Sequence, residues 1–178
     1  MRKDTEDIKI EKVAAQVQEA VAEAMFVLGT LHEDRENYPE ARRLYQTAAK
    51  EGHHEAMVAL GVLAELGLGQ RRDNRLARRW YRKAAHSGSA WGSSCLGFLY
   101  ETGRGGRKYH ALAARHYLMG AQKRHPWCMV QLAMLYRSGK GVRRDLAKAA
   151  WLLARAAEAG NAYAQDYLAK QATQGGIL

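Results

Sequence analysis

The sequence predicts an all-α protein built from repeated pairs of helices. Only two prolines occur among the 178 residues, while alanine, leucine and arginine, which favour helix, are abundant. β-branched residues are sparse, so an extensive sheet is not expected. Alanine recurs every 36 residues, at Ala49, Ala85, Ala121 and Ala157. A fixed period of this length is typical of stacked helical repeats.

Each repeat divides into two helices. The first helix carries Leu-Gly at Leu60-Gly61 and Leu96-Gly97, and Leu132-Ala133 in the last repeat. So small a side chain lets a neighbouring helix approach closely, which offsets the low helix propensity of glycine. The second helix has apolar or small residues on one face. In the second repeat this face comprises Ala77, Trp80, Tyr81, Ala84 and Ala85.

Glycine-rich turns separate the two helices of a repeat in three of the four repeats. Glycines such as Gly67, Gly103 and Gly139 stop a helix by adopting positive φ. Asp73 and Asp145 are expected to cap the second helix, whereas the third repeat has Lys108 where we expect the cap. The first repeat lacks this turn, and its Asn37 and Glu40 have the spacing of a capping box.

These motifs together resemble the Sel1-like repeat, a relative of the tetratricopeptide repeat. The resemblance implies a right-handed α-solenoid that acts as an adaptor or scaffold, and it implies a bacterial origin. We expect an N-terminal helical extension or cap over residues 1–21 and a C-terminal capping helix with a short tail over residues 161–178. Between them we expect four repeats, at 22–53, 54–89, 90–125 and 126–160.

The N-terminal segment is predicted to form one long helix, or two nearly continuous ones, from about Asp7 to Asp34. Its apolar residues keep a spacing of three to four with no glycine or proline among them. They are Ile10, Val13, Val17, Val21, Ala24 and Leu28. This helix either caps the first repeat or mediates a homodimer.

Nothing in the sequence has the pattern of a catalytic or metal site. Cys95 and Cys128 are too few for a disulfide framework and are expected to be free, buried thiols. No Cys-x-x-Cys or His-Glu-x-x-His motif occurs, so we expect neither an enzyme nor a cofactor. The charged N-terminal sequence and the absence of a long apolar run predict a cytoplasmic protein.

Charge is distributed unevenly along the chain. Residues 1–40 contain 5 Lys/Arg against 10 Asp/Glu, whereas residues 41–178 contain 23 against 8. In tetratricopeptide-like proteins the first helices line the concave surface, and the resemblance therefore implies an acidic and aromatic groove for a protein partner with apolar and basic residues. The groove residues would be Phe26, Glu55, Val58, Val62, Glu65, Trp91, Phe98, Glu101, Trp127, Met134, Arg137 and Tyr163.

A second surface is rich in arginine and is expected on the convex side. It comprises Arg71, Arg72, Arg75, Arg78, Arg79 and Arg82. Its side chains should point outward, because the apolar residues of the same helix occupy the other side. A solvated surface is the simplest interpretation; binding to nucleic acid or another anionic surface is the alternative function.

Overall fold

The computed structural model describes the backbone of residues 2–173 and the side chains from Glu6 onward, and every regular element in this part of the chain is α-helical. The helices are α1 Arg2–Asp34, α2 Tyr38–Lys50, α3 His54–Leu66, α4 Asn74–His86, α5 Ala90–Thr102, α6 His110–Gln122, α7 Pro126–Ser138, α8 Leu146–Glu158 and α9 Ala162–Thr173. The last five residues of the predicted C-terminal tail, 174–178, lie outside the described residues.

The chain forms two compact units, residues 1–80 and 81–178, with the division inside α4. In the first unit α1 packs on α2, and α2 packs on α3. In the second unit each helix from α5 to α9 packs on the next one along the chain. The eight helices after α1 have 12 or 13 residues each, and their regular succession confirms the predicted all-α repeat fold of the solenoid class.

Glycine and tyrosine set the distance between the two helices of a repeat. A Cβ atom at Gly97 would lie 2.7 Å from the ring of Tyr117, and one at Gly29 would lie 2.5 Å from the ring of Tyr45. Both rings are fully buried. The Tyr45 hydroxyl donates to Glu33 at 2.6 Å, and the Tyr117 hydroxyl donates to Glu101 at 2.8 Å. The predicted close approach at the Leu-Gly motif is therefore confirmed.

The turns between paired helices follow the prediction in two respects. Gly67, Gly103 and Gly139 end their helices with φ of 77°, 78° and 70°, a conformation that costs glycine little. Asp73 caps α4 by accepting from the backbone N–H of Leu76 at 2.9 Å, and Asp145 caps α8 in the same way through Lys148.

One cap position is shifted by one residue, and one predicted capping box is wrong. In the third repeat the residue at the cap of α6 is Tyr109, not Lys108, and its side chain makes no capping bond. Before α2 the amide of Asn37 bonds to the His32 imidazole and caps nothing. Pro39, in the first turn of α2, has no N–H to donate to a cap.

The packed side of α4 also differs from the prediction. Arg78 was expected to point outward but is buried, with 8% of its surface exposed. It precedes Tyr81 and Ala85 by three and seven residues, which places it on their side of the helix. Trp80, expected on the packed side, is only half-buried. The buried sector of α4 is therefore wider than the apolar pattern indicates.

α1 confirms the predicted long helix but contradicts its interpretation as a cap. It is a single helix of 33 residues. All its described side chains from Glu6 to Val21 are exposed, and Ala22 is the first buried residue. A cap would bury the apolar residues Ile10, Val13 and Val17, yet these are 66%, 57% and 56% exposed.

Candidate interaction surfaces

One equivalent position is exposed on the first helix of every repeat and on α9. It is occupied by Glu23, Glu55, Trp91, Trp127 and Tyr163, in chain order. The three aromatic residues all belong to the second unit and are 56%, 45% and 49% exposed. We call Trp91, Trp127 and Tyr163 the aromatic row. Since they are 36 residues apart in successive repeats of one unit, they lie on the same side of it.

Neighbouring side chains hold the aromatic row in place. The Trp91 ring meets the His125 ring edge-on at 5.5 Å between centroids, and Tyr163 stacks on Tyr167 at 6.3 Å. Arg137 donates to the Tyr167 hydroxyl at 2.5 Å and lies over the same ring. Large aromatic surfaces held by a few contacts lose little side-chain entropy on binding, as interface anchors require.

Apolar residues one to two turns further along the first helices extend this surface. Phe98 on α5 is 38% exposed and carries the Arg104 guanidinium over its ring at 5.0 Å. Met134 occupies the equivalent position on α7 and is half-buried. The first helices that carry the aromatic row therefore also present partly exposed apolar side chains, with Arg104 beside Phe98.

The first unit has a cavity of about 440 Å³ whose ten lining residues include four glutamates. We call it the acidic cavity, and its charged and titratable lining comprises Glu19, Glu23, Glu51, Glu55, His53 and His54. His53 lies 2.9 Å from Glu23, and His54 lies 2.9 Å from Glu55. Glu65 and Val62, which the sequence predicts for the concave groove, are half-buried on α3. Four carboxylates around one opening favour a cationic group.

Three residues predicted for the groove are committed to packing instead. Val58 is buried, with 7% of its surface exposed, and is no surface residue. Phe26 is half-buried between Tyr45 and the stacked ring of His53, 4.7 Å away. The half-buried Glu101 accepts the hydrogen bond from Tyr117. Sequence alone does not distinguish these inner positions from the exposed ones, because all of them lie on the first helices.

The arginine-rich segment is exposed except at Arg78. Arg71, Arg72, Arg75, Arg79 and Arg82 are all exposed. Arg82 also donates to the Tyr100 hydroxyl at 3.3 Å. Trp151 on α8, which the sequence analysis did not single out, is 61% exposed beneath the Arg155 guanidinium. In the repeat alignment Trp151 occupies the position of Arg79 and Arg115. A tryptophan at a position that is arginine in two other repeats is the sequence feature that could have indicated this exposed residue.

Titratable groups inside the second unit serve packing. Burial raises the pKa of the Cys128 thiol to about 11, so the reactive thiolate is scarce at neutral pH. Burial lowers the pKa of His116 to about 4, with help from nearby Arg115. Neither cysteine forms a disulfide within the described part of the chain, and Cys95 is only half-buried. Among the described residues no group of three or more His, Cys, Asp and Glu is placed to hold a metal ion.

The fold defines a helical-repeat protein. The Sel1 repeat family matches residues 22–53, 54–89, 96–125 and 128–161, and the chain therefore belongs to this family. Sel1 repeats generally mediate protein–protein interaction and are typically scaffolds rather than enzymes. No helix in the described part of the chain is both long enough and apolar enough to span a membrane.

Solved structures of bacterial proteins are similar to this chain. A Sel1 repeat protein from Oxalobacter formigenes is 29% identical over 93% of this chain and 70% of its own, with a TM-score of 0.79. The protein c5321, a protective antigen of uropathogenic Escherichia coli with an SLR fold, is 30% identical over 87% of this chain, with a TM-score of 0.78. This chain spans 34% of the length of c5321.

More distant proteins share the fold alone. Helicobacter pylori cysteine rich protein B is 20% identical over 71% of this chain and 96% of its own, with a TM-score of 0.56. Among curated proteins none matches the chain with significance.

Proposed function

We propose that this chain is a non-enzymatic adaptor that binds a segment of a partner protein through the aromatic row. The observation that carries the proposal is the exposure of Trp91, Trp127 and Tyr163 at one equivalent position of α5, α7 and α9. Tryptophan and tyrosine are the side chains most often found at the energetic centre of interfaces. Monomeric proteins rarely leave several of them exposed together without a binding function.

The acidic cavity supplies the expected polar part of partner recognition. Its four glutamates belong to the first unit, in which the position of the aromatic row carries Glu23 and Glu55 instead. A partner's lysine or arginine suits the acidic cavity, and its apolar residues suit the aromatic row. Charge steers such a partner and speeds its association, while the aromatic contacts provide most of the affinity. A bacterial origin and a cytoplasmic location belong to the same proposal.

Capture from the source cell tests the proposal. Immobilised full-length protein should retain a partner that mass spectrometry identifies, and the variant with Trp91→Ala and Trp127→Ala should lose it. Trp151→Ala is the matched control, because Trp151 is equally exposed but lies on a second helix. If the control loses the partner and the double variant keeps it, the aromatic row is not the binding surface.

The exposed arginines support nucleic-acid binding as a second candidate function. Five exposed arginines lie between residues 71 and 82, and the chain has a net charge of +10. Binding through such a surface weakens steeply as salt rises, because phosphate contacts release counterions. A complex held mainly by the aromatic row should weaken much less between 50 and 200 mM salt, roughly the range over which phosphate contacts lose most affinity, because only its acidic contacts are screened.

A further inference from the structure

One side of α1 carries an uninterrupted apolar surface that no described residue covers. Its large residues are Ile10, Val13, Val17, Val21, Leu28 and Leu31, between 44% and 66% exposed. We call these six residues the apolar stripe. The opposite side of α1 is the one that packs, since Ala22 and Gly29 are buried there and Gly29 approaches Tyr45.

The C-terminal part of the apolar stripe is an unfilled repeat interface. Leu28 and Leu31 are equivalent to Leu60 and Leu63, to Leu96 and Leu99, and to Leu132 and Leu135. The six later leucines are each no more than 3% exposed. First helices such as α3 and α7 pack on the second helix of the repeat before them. Among the described residues no helix precedes α1, so Leu28 and Leu31 meet solvent.

The N-terminal part of the stripe extends beyond anything a repeat requires. α1 has 33 residues, whereas the other first helices have 12 or 13. Its apolar positions recur at intervals of three and four residues, so that Ile10, Val17 and Leu31 fall on a seven-residue spacing. This is the heptad pattern by which helices pair with one another. A terminal repeat that faced only solvent would need a polar outer side.

We infer that the apolar stripe is the interface of a homodimer, in which α1 of a second copy covers it. From Ile10 to Leu31 the stripe is about 32 Å long. Six large side chains, each about half exposed, with alanines between them, offer on the order of 500 Å² per copy, and two copies reach the roughly 1,000 Å² that a specific interface needs.

Most of the charged residues on this part of α1 flank the stripe: residues 6–23 contain five acids and two lysines, of which Glu6, four residues before Ile10, lies on the stripe side at its N-terminal end. Glu11, Lys12 and Glu19 lie outside the stripe, because successive residues of a helix are rotated by about 100°. A helix bearing the same apolar stripe is therefore a matching partner, and two-fold symmetry is the commonest way in which identical chains close such a contact.

Sedimentation equilibrium of the full chain tests the inference. The wild-type protein should have twice the monomer mass of 19.9 kDa. Val17→Glu should raise the dimer dissociation constant by at least about tenfold, because it places a charge in an apolar interface. Ala15→Glu adds the same charge to the other side of the same helical turn and should leave the dimer unchanged. Circular dichroism confirms that both variants fold.

Crosslinking locates the interface by a second measurement. Ala20 lies near the middle of the stripe, so Ala20→Cys should form a disulfide-linked dimer under mild oxidation whether the two helices run parallel or antiparallel. Ala15→Cys should not. A wild-type chain that is monomeric at 100 µM, roughly the concentration at which weak specific dimers form, contradicts the inference. Equal effects of the two glutamate substitutions also contradict it.

Discussion

Gly97 shows at the scale of one residue how tightly a repeat is packed. Its missing Cβ leaves room for the Tyr117 ring, which is held from behind by the hydrogen bond of its hydroxyl to Glu101. Burial and the Glu101 carboxylate both raise the pKa of the Tyr117 hydroxyl, so the bond is kept in its protonated, donating form. The ring cannot move aside without losing that bond.

Replacing Gly97 should therefore destabilise the protein. Gly97→Leu should lower the free energy of unfolding by about 2 kcal/mol or more through overpacking, which outweighs the gain of up to about 1 kcal/mol in helix propensity. Chemical denaturation followed by circular dichroism measures the change. Phe98→Leu, at the exposed neighbouring position, is the control and should cost far less. An unchanged denaturation midpoint for Gly97→Leu would show that the Tyr117 ring moves aside at little cost in free energy.

His116 gives the protein a pH dependence of known sign. The unfolded chain protonates this imidazole near pH 6.5, whereas the folded chain does so only near pH 4. Unfolding therefore becomes progressively easier as the pH falls through this window, and the His116 contribution to stability is complete above it. Between pH 7 and about 4.5, the melting temperature of the His116→Gln variant should fall by less than that of the wild type. Equal losses in the two proteins would contradict this account.

At the scale of one helix, the caps explain why the start of α6 differs from the starts of α4 and α8. Tyr109 lies 36 residues from both Asp73 and Asp145, and its backbone has nearly the conformation of Asp145. Its N–H donates to the Tyr100 carbonyl as the Asp145 N–H donates to that of Tyr136. The turn is thus preserved by backbone bonds, although the capping carboxylate is missing.

Restoring that carboxylate should stabilise the protein. Tyr109→Asp supplies the missing acceptor in a backbone conformation already suited to it, and should raise the free energy of unfolding by about 1 kcal/mol. The loss of the Arg107 contact with the Tyr109 ring will offset part of this gain. Thermal denaturation with Tyr109→Ala as the control separates the two effects. No difference between the aspartate and alanine variants would rule out capping.

The sequence predicts helices and turns well because both depend on local chemistry. Leu-Gly, the positive-φ glycines and Asp73 each act within one repeat, so their roles follow from spacing. Burial on the outer parts of a helix is harder to predict. Arg78 is buried and Trp80 is only half-buried, because the packed sector of a helix depends on its neighbours and not on its own apolar pattern alone.

At the scale of the whole molecule, it is equally hard to predict from the sequence which residues of the candidate surface are exposed. Trp91, Val58 and Glu101 all lie on first helices, yet only Trp91 is widely exposed. Equivalent positions in the other repeats separate these cases: the Val58 position is buried in the second, third and fourth repeats, whereas the Trp91 position is exposed in all. The identity of the partner depends on chemistry outside the chain.

Folding should be cooperative over neighbouring repeats. Each repeat has an apolar side that only an adjacent repeat covers, so a single repeat lacks a closed core. A peptide of residues 57–88 should show little helical circular dichroism in water, since isolated helices of this length are marginal. If the peptide is as helical in water as it is in a helix-promoting alcohol, single repeats fold independently and the prediction is wrong.

The central claim is that binding depends on the aromatic row and not on the exposed arginines. Titration calorimetry with the captured partner should show that Trp91→Ala and Trp127→Ala each weaken binding by more than about 1 kcal/mol. The pair Arg75→Glu and Arg79→Glu should leave the affinity nearly unchanged; Arg78 is unsuitable for this test because it is buried. If the arginine pair abolishes binding and the tryptophan variants do not, the arginine-rich surface is the binding site and the account is wrong.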